Sequence, residues 1–175
     1  MRVAALLLLG VLLLLVQCNL YLLMGGLGLH GATPNLLLPV IIFVGVHEPS
    51  MARGASIAFA LGHALDLFAC APMWLFTFIF VAIWWLARIA GVRLTAQTAL
   101  TRMSLAFAFT LVEAAITLIL LAVFGADTQR PLELATIVPL RATSTALCSP
   151  IVFRLVQRLY PPSTPVRAAT EAAST

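Results

Sequence analysis

The sequence has little charge and no lysine. Only 9% of its 175 residues are charged, whereas 62% are hydrophobic. A soluble globular domain carries about a quarter charged residues, so this chain has too few polar groups to cover a soluble surface. We therefore expect much of its apolar surface to face lipid. The net charge of +4 comes from arginines, which at helix ends set membrane topology and contact anionic headgroups, so nucleic-acid binding is not predicted.

The chain also has few cysteines and lacks the common catalytic motifs. Its three cysteines form no CxxC pair, which argues against a disulfide framework or a metal site. There is no GxSxG and no nucleotide-binding loop. His47 and Glu48 begin like the HExxH zinc motif, but Met51 stands in place of the second histidine. We therefore predict a protein that is not an enzyme and that has no metal site and no cofactor.

Long hydrophobic runs, by contrast, occupy most of the chain. They predict an all-α fold, a polytopic transmembrane helical bundle of six helices that forms one domain over residues 1–160. The predicted spans are 3–23, 34–48, 54–70, 74–90, 104–124 and 132–159. The first has about the 20 residues needed to cross a bilayer and is followed by no small-residue cleavage site, so we interpret it as an uncleaved helix. Residues 161–175 are rich in Pro, Ala, Ser and Thr and are predicted to form a disordered cytoplasmic tail.

The second span is the shortest, with an apolar stretch of only 36–46. Thr33 is predicted to cap its helix and Pro34 to occupy the first helical position. The arginines support this span, because with six spans and a cytoplasmic N-terminus most of them lie on the cytoplasmic side. These are Arg2, Arg53, Arg88, Arg93, Arg102, Arg154, Arg158 and Arg167. Without the second span, four of these would move outside, so the positive-inside rule favours six helices and two cytoplasmic termini.

A stripe of small residues lies in the third span. Gly54, Ala58 and Gly62 are spaced four apart, so they share one helix face and allow a second helix to approach closely. The stripe can serve helix packing within the chain or a dimerisation face. We favour packing within the chain.

Four ionisable residues form a candidate intramembrane polar network. His63 lies one turn before Asp66 on nearly the same face of the third span. Counting about 1.5 Å per residue, Asp66, Glu113 and Arg141 all lie near the middle of a core about 30 Å thick. Charged groups at that depth are costly and should face the bundle interior. Our hypothesis is that Arg141 pairs with Asp66 or Glu113, either as a structural ion pair or as part of a binding cavity or proton path.

Residues 34–91 contain three short motifs, a Pro34–Asn35 start, an Arg53–Gly54 turn and a Gly62-x-x-x-Asp66 signature. On these motifs the segment resembles MreD, the rod shape-determining membrane protein family of bacteria. Asn35 stands where an aspartate is common in that family. Chain length, helix number and the near absence of extramembrane domains are similar as well.

The resemblance implies a non-enzymatic scaffold of the cell-elongation machinery in the bacterial inner membrane. Its partners would be an MreC-like protein and other cell-elongation proteins, besides membrane lipids, and homo-oligomerisation stays open. The Gly54/Ala58/Gly62 stripe would be one wall of a groove for a partner helix. An alternative function comes from the similarity of such bundles to the membrane subunits of energy-coupling-factor transporters. In that case Asp66, Glu113 and Arg141 would line a site for a vitamin-type small molecule.

Overall fold

The computed structural model describes residues 2–26, 33–69, 74–91, 99–124 and 131–159. In this part of the chain it contains six α-helices and no strand, which confirms the all-α fold class. The helices are α1 (Arg2–Gly26), α2 (Leu37–His47), α3 (Met51–Ala69), α4 (Leu75–Gly91), α5 (Ala99–Phe124) and α6 (Pro131–Leu159). The predicted tail at residues 161–175 lies outside the described residues.

Two of the six helices are long and apolar enough to cross a membrane. They are Val3–Gly26, which is nearly all of α1, and Leu100–Leu120 in α5. Helices α2 and α4 are apolar but shorter. The outer surface of the bundle is also apolar, since α1 leaves Leu8 75% exposed and α6 leaves Leu147 69% exposed.

Helix α2 lies at the centre of the bundle. All nine residues from Leu37 to Gly45 are buried, and the helix contacts each of the five others. Its 11 residues rise about 16 Å, roughly half of a 30 Å hydrocarbon core. The shortest predicted span is therefore an interior helix that the other five surround.

The start of α2 differs from the predicted one, whereas its end lies within one residue of the prediction. The helix starts at Leu37, so the prediction that Thr33 caps it and Pro34 begins it is wrong. Instead, the Oδ1 atom of Asn35 accepts a hydrogen bond from the amide of Leu37 at 3.2 Å. At the other end Glu48 is extended, as expected for a residue before a proline.

The turn between α2 and α3 is tied to α4 by one arginine. Arg88 donates from Nη1 to the carbonyl oxygen of Glu48 at 2.8 Å and from Nη2 to that of Pro49 at 3.0 Å. A cation that binds these carbonyls at the end of α2 also interacts favourably with the helix dipole. Arg88 therefore links α2, α3 and α4 at one end of the bundle.

Helix α5 begins five residues earlier than the predicted start at 104. The additional turn lies beside α6, where Arg102 Nη1 donates to Gln157 Oε1 at 3.2 Å. In the same turn the hydroxyl of Ser104 donates to the carbonyl oxygen of Thr101. The polar side chains of this first turn of α5 therefore have hydrogen-bond partners, which supports a helix that extends beyond the apolar segment.

Candidate functional site

The candidate site lies where α5 packs against α6. Glu113 in α5 is only 2% exposed, and its Oε1 atom lies 3.2 Å from Nη2 of Arg141 in α6. The Arg141 side chain is about one-third exposed. Of the two acids proposed as partners for Arg141, the structure therefore brings Glu113 into contact with it.

Asn35 joins this ion pair to the start of α2. Its Nδ2 atom donates to Glu113 Oε1 at 2.8 Å, and its backbone amide donates to the Thr145 hydroxyl at 3.0 Å. The next amide, of Leu36, donates to Oε1 of Gln17 in α1 at 3.0 Å. Because Asn35 is completely buried, its two bonds to Glu113 and Thr145 form away from water. Side chains from α1, α5 and α6 thus hold the segment that leads into α2.

A cleft of about 90 Å³ lies beside Glu113 and Arg141. Its lining consists of Thr110, Glu113, Ala114, Thr117, Leu118, Ile137, Val138 and Arg141. The hydroxyls of Thr110 and Thr117 donate to carbonyl oxygens one turn earlier in α5, of Ala106 and Glu113. Only Thr110 and Glu113 are buried and the other six lining residues are partly exposed, so the cleft opens on the surface of the bundle.

Asp66 lies in a different place and has a different role. Its Oδ1 atom accepts from the amide of Phe76 at 2.8 Å. Its Oδ2 atom accepts from the amide of Thr77 at 3.0 Å and from the hydroxyl of Thr77 at 2.5 Å. Asp66 in α3 therefore caps the N-terminus of α4, where the first amides of a helix lack partners within it and the dipole favours negative charge.

His63 lies near Asp66 and packs against aromatic rings. Its ring centre is 5.3 Å from that of Trp74 and 6.3 Å from that of Phe59, with both pairs stacked. Trp74 precedes α4 with a positive φ of 74°, which is rare for a residue with a side chain. The predicted network of four residues is thus divided: His63 and Asp66 lie at the α3–α4 junction, and Glu113 and Arg141 lie at the α5–α6 cleft.

The Gly54/Ala58/Gly62 stripe faces α4. A Cβ atom added to Gly54 would lie 2.5 Å from Nε1 of Trp84, and one added to Gly62 would lie 2.6 Å from Cα of Thr77. Ala58 between them is fully buried. Helix α4 therefore occupies the close-packing face of α3 within the chain, and a partner helix has no access to it in this arrangement.

Asn35 and Gln17 are the site residues that sequence reasoning missed. Each is a carboxamide in or beside an apolar segment, where a polar group needs a buried partner. That signal is present in the sequence, but it does not say which helices supply the partner. Among the described residues, no group of three or more His, Cys, Asp or Glu side chains could hold a metal ion.

The described residues thus define an all-helical bundle with a short central helix and, between α5 and α6, a cleft that combines an ion pair with apolar walls. Comparison with models of protein families, with curated proteins and with solved structures finds no match for the chain.

Proposed function

We propose that this chain is a multi-pass protein of the bacterial inner membrane and acts as a non-enzymatic scaffold of the cell-elongation machinery. The observation that carries the proposal is the packing of α2, α3 and α4, which contain the residues that resemble MreD. Gly62 allows α4 to approach α3, Asp66 caps α4, and Asn35 anchors the start of α2. Three of the motif residues therefore have a physical role in the packing of the bundle.

Membrane insertion is supported by the composition of the bundle surface. Large apolar side chains are exposed on α1, α4 and α6, among them Leu8 at 75%, Phe78 at 59% and Leu147 at 69%. Exposed apolar area on this scale is expected of a surface that faces lipid or other membrane proteins. We propose six spans with both termini in the cytoplasm, with the short α2 enclosed by the five longer helices.

A scaffold needs a surface that its partners can reach. Because α4 covers the small-residue stripe of α3, a partner helix would have to displace α4 to use it. We therefore propose that an MreC-like protein and the other elongation proteins contact the exposed outer faces of the bundle. A second copy of the chain would use the same faces.

A small-molecule-binding subunit of a transporter is the second candidate function. The α5–α6 cleft favours it, but the cleft measures about 90 Å³, whereas sites for drug-sized ligands measure about 300–1,000 Å³. Asp66, proposed as part of such a site, has both oxygens bound to the start of α4. The geometry therefore supports the scaffold better than a vitamin-type binding subunit.

Photo-crosslinking in native membranes tests the scaffold. A photo-reactive amino acid is placed at Leu8, Phe78 or Leu147, one exposed position on each of three helices, with completely buried Leu14 as the control. We expect an MreC-like protein or another elongation protein to be joined at an exposed position and not at Leu14. Failure to recover any elongation protein from all three positions would refute the scaffold. Recovery of transporter ATPase subunits instead would support the second function.

A further inference from the structure

The ion pair at the α5–α6 cleft leaves hydrogen-bonding capacity unused. Glu113 Oε1 accepts from both Asn35 and Arg141, whereas Glu113 Oε2 is buried and has no hydrogen-bond partner among the described residues. A buried carboxylate oxygen without a donor is costly, because it has lost its bonds to water and gained nothing in return. The unpartnered atom belongs to a residue that lines the cleft.

Arg141 offers the complementary groups on the same side. A guanidinium carries five N–H donors, and the side-chain contact described for Arg141 uses only Nη2. The cleft thus has an acceptor on α5 and unused donors on α6. Because Oε2 is buried, a ligand in the cleft reaches it only when the Glu113 carboxylate turns about χ3, a soft torsion in glutamate.

We propose that the α5–α6 cleft binds a small neutral molecule that presents a hydrogen-bond donor and an acceptor side by side, as a carboxamide does. The ligand's N–H group donates to Glu113 Oε2, and its carbonyl oxygen accepts from Arg141. This site is independent of the scaffold function and does not require it.

The charges of the cleft favour a neutral ligand. A cation that approaches Glu113 is repelled by Arg141, and an anion that approaches Arg141 is repelled by Glu113. In a partly buried site these opposing interactions are stronger than in water. A neutral carboxamide satisfies both residues without adding charge.

The size and walls of the cleft limit the rest of the ligand. Its volume of about 90 Å³ admits only a small molecule. Leu118, Ile137 and Val138 supply apolar walls, so a ligand with a short alkyl group next to its amide fits better than water alone. Acetamide is the simplest probe with these properties.

The chain contains a reporter for binding. Its two asparagines are Asn35, which donates to Glu113, and Asn19, which lies on the exposed face of α1 and donates to Leu15. Protein labelled with ¹⁵N at asparagine side chains therefore gives two side-chain NH2 groups in an NMR spectrum, each as one pair of cross-peaks at its own ¹⁵N shift. We expect acetamide to shift the Asn35 side-chain signal in a saturable way and to leave the Asn19 signal unchanged.

Charged probes of similar size test the ligand class. Methylammonium carries only donors and acetate carries only acceptors, and we expect neither to shift the Asn35 signal at concentrations where acetamide does. If either ion shifts it as strongly as acetamide, the proposed class of ligand is wrong. Equal shifts of Asn19 and Asn35 would mean a general solvent effect and would refute the site.

Two neighbouring alanines provide matched variants. Ala114 lines the cleft and Ala115 is exposed on α5 outside it. Ala114→Leu should abolish the acetamide response by filling the cleft, and Ala115→Leu should preserve it.

Glu113→Gln covers the case in which Ala114→Leu fails to fold. Glutamine has nearly the size of glutamate. When its oxygen accepts from Asn35 and Arg141, its NH2 group stands at the position of Oε2 and cannot accept from the ligand. We expect this to weaken acetamide binding at least about tenfold. Unchanged acetamide affinity in folded Glu113→Gln protein would overturn the proposal.

Discussion

Two buried carboxylates in this bundle are used in opposite ways. Asp66 at the α3–α4 junction accepts hydrogen bonds at both oxygens, all from the first turn of α4. Within the part of the chain that the structure describes, Glu113 at the α5–α6 cleft accepts at one oxygen only, from Asn35 and Arg141, and its other oxygen has no partner. The two side chains are similarly buried, at 7% and 2% exposure.

The difference separates a structural acid from a candidate binding acid. A carboxylate with both oxygens engaged contributes to stability and has little left to offer a ligand. A carboxylate with an unpartnered oxygen beside a cleft forfeits part of that stability and keeps a group that a ligand can use. Substitutions at the two sites should therefore differ in how stability and binding respond.

The largest expected effect is that of Asp66→Ala. It removes the acceptor of three hydrogen bonds at the start of α4, and each bond to a charged group contributes about 1.5–3 kcal/mol. Since the three are not additive, we expect the free energy of unfolding to fall by about 4 kcal/mol. Equilibrium denaturation in detergent measures this loss. A loss below about 1 kcal/mol would show that water replaces the carboxylate at the N-terminus of α4.

Asn35→Ala should cost less, about 2–3 kcal/mol. It removes the bond to Glu113 and the side-chain bond to the amide of Leu37, but the backbone bond to Thr145 remains. Asn19→Ala is the control, because Asn19 is exposed and bonds only within its own helix. The same denaturation experiment compares them, and similar losses for the two variants would mean that Asn35 does not anchor α2.

Gly62→Ala should cost about 2 kcal/mol, since the new Cβ would lie 2.6 Å from the backbone of Thr77 and would push α4 away from α3. Its control is Gly26→Ala, where a Cβ meets nothing within 4 Å. Unfolding of both variants in detergent gives the comparison. Equal stability of the two would show that α3 and α4 separate without loss.

The smallest effect compares amide substitutions at the two acids. Glu113→Gln keeps an oxygen for Asn35 and Arg141 and loses no bond at Oε2, so we expect a loss of about 1 kcal/mol. Asp66→Asn replaces one oxygen by an NH2 group, a donor that would face an amide donor of α4. We therefore expect its loss of unfolding free energy to be about twice that of Glu113→Gln. If Glu113→Gln lowered the free energy of unfolding more than Asp66→Asn does, the order of the two acids would be reversed. That result would mean that Oε2 of Glu113 has a hydrogen-bond partner in solution.

The sequence predicts where the helices lie along the chain, but it does not predict which helices pack against each other. Apolar segments predict the six helices, and polar residues within them predict that Asp66, Glu113 and Arg141 are buried or partnered. The depth of a residue in the membrane follows from counting residues along its helix, and this count placed Asp66, Glu113 and Arg141 at the same depth. Which helices are adjacent does not follow from depth, so Asp66 was grouped with a pair that lies at another junction.

The start of α2 shows the same limit on a smaller scale. Thr33 and Pro34 form a common helix start, which is why the sequence predicted one there. The structure instead begins the helix at Leu37, because Gln17, Glu113 and Thr145 hold residues 35 and 36 in place from other helices. Contacts from distant parts of the chain outweighed a local capping preference.

The central position of α2 also has a consequence for folding. Its contacts include α5 and α6, which begin 52 and 84 residues beyond the end of α2. Contacts across such sequence distances form slowly, because the intervening chain must be ordered first. During synthesis the second helix of the chain is therefore among the last to be fully packed, and one of the two contacts that hold Asn35 comes from α6. A chain that stops before Thr145 would keep the bond from Asn35 to Glu113 but would lose the bond to Thr145 and part of the cover that α6 gives to α2.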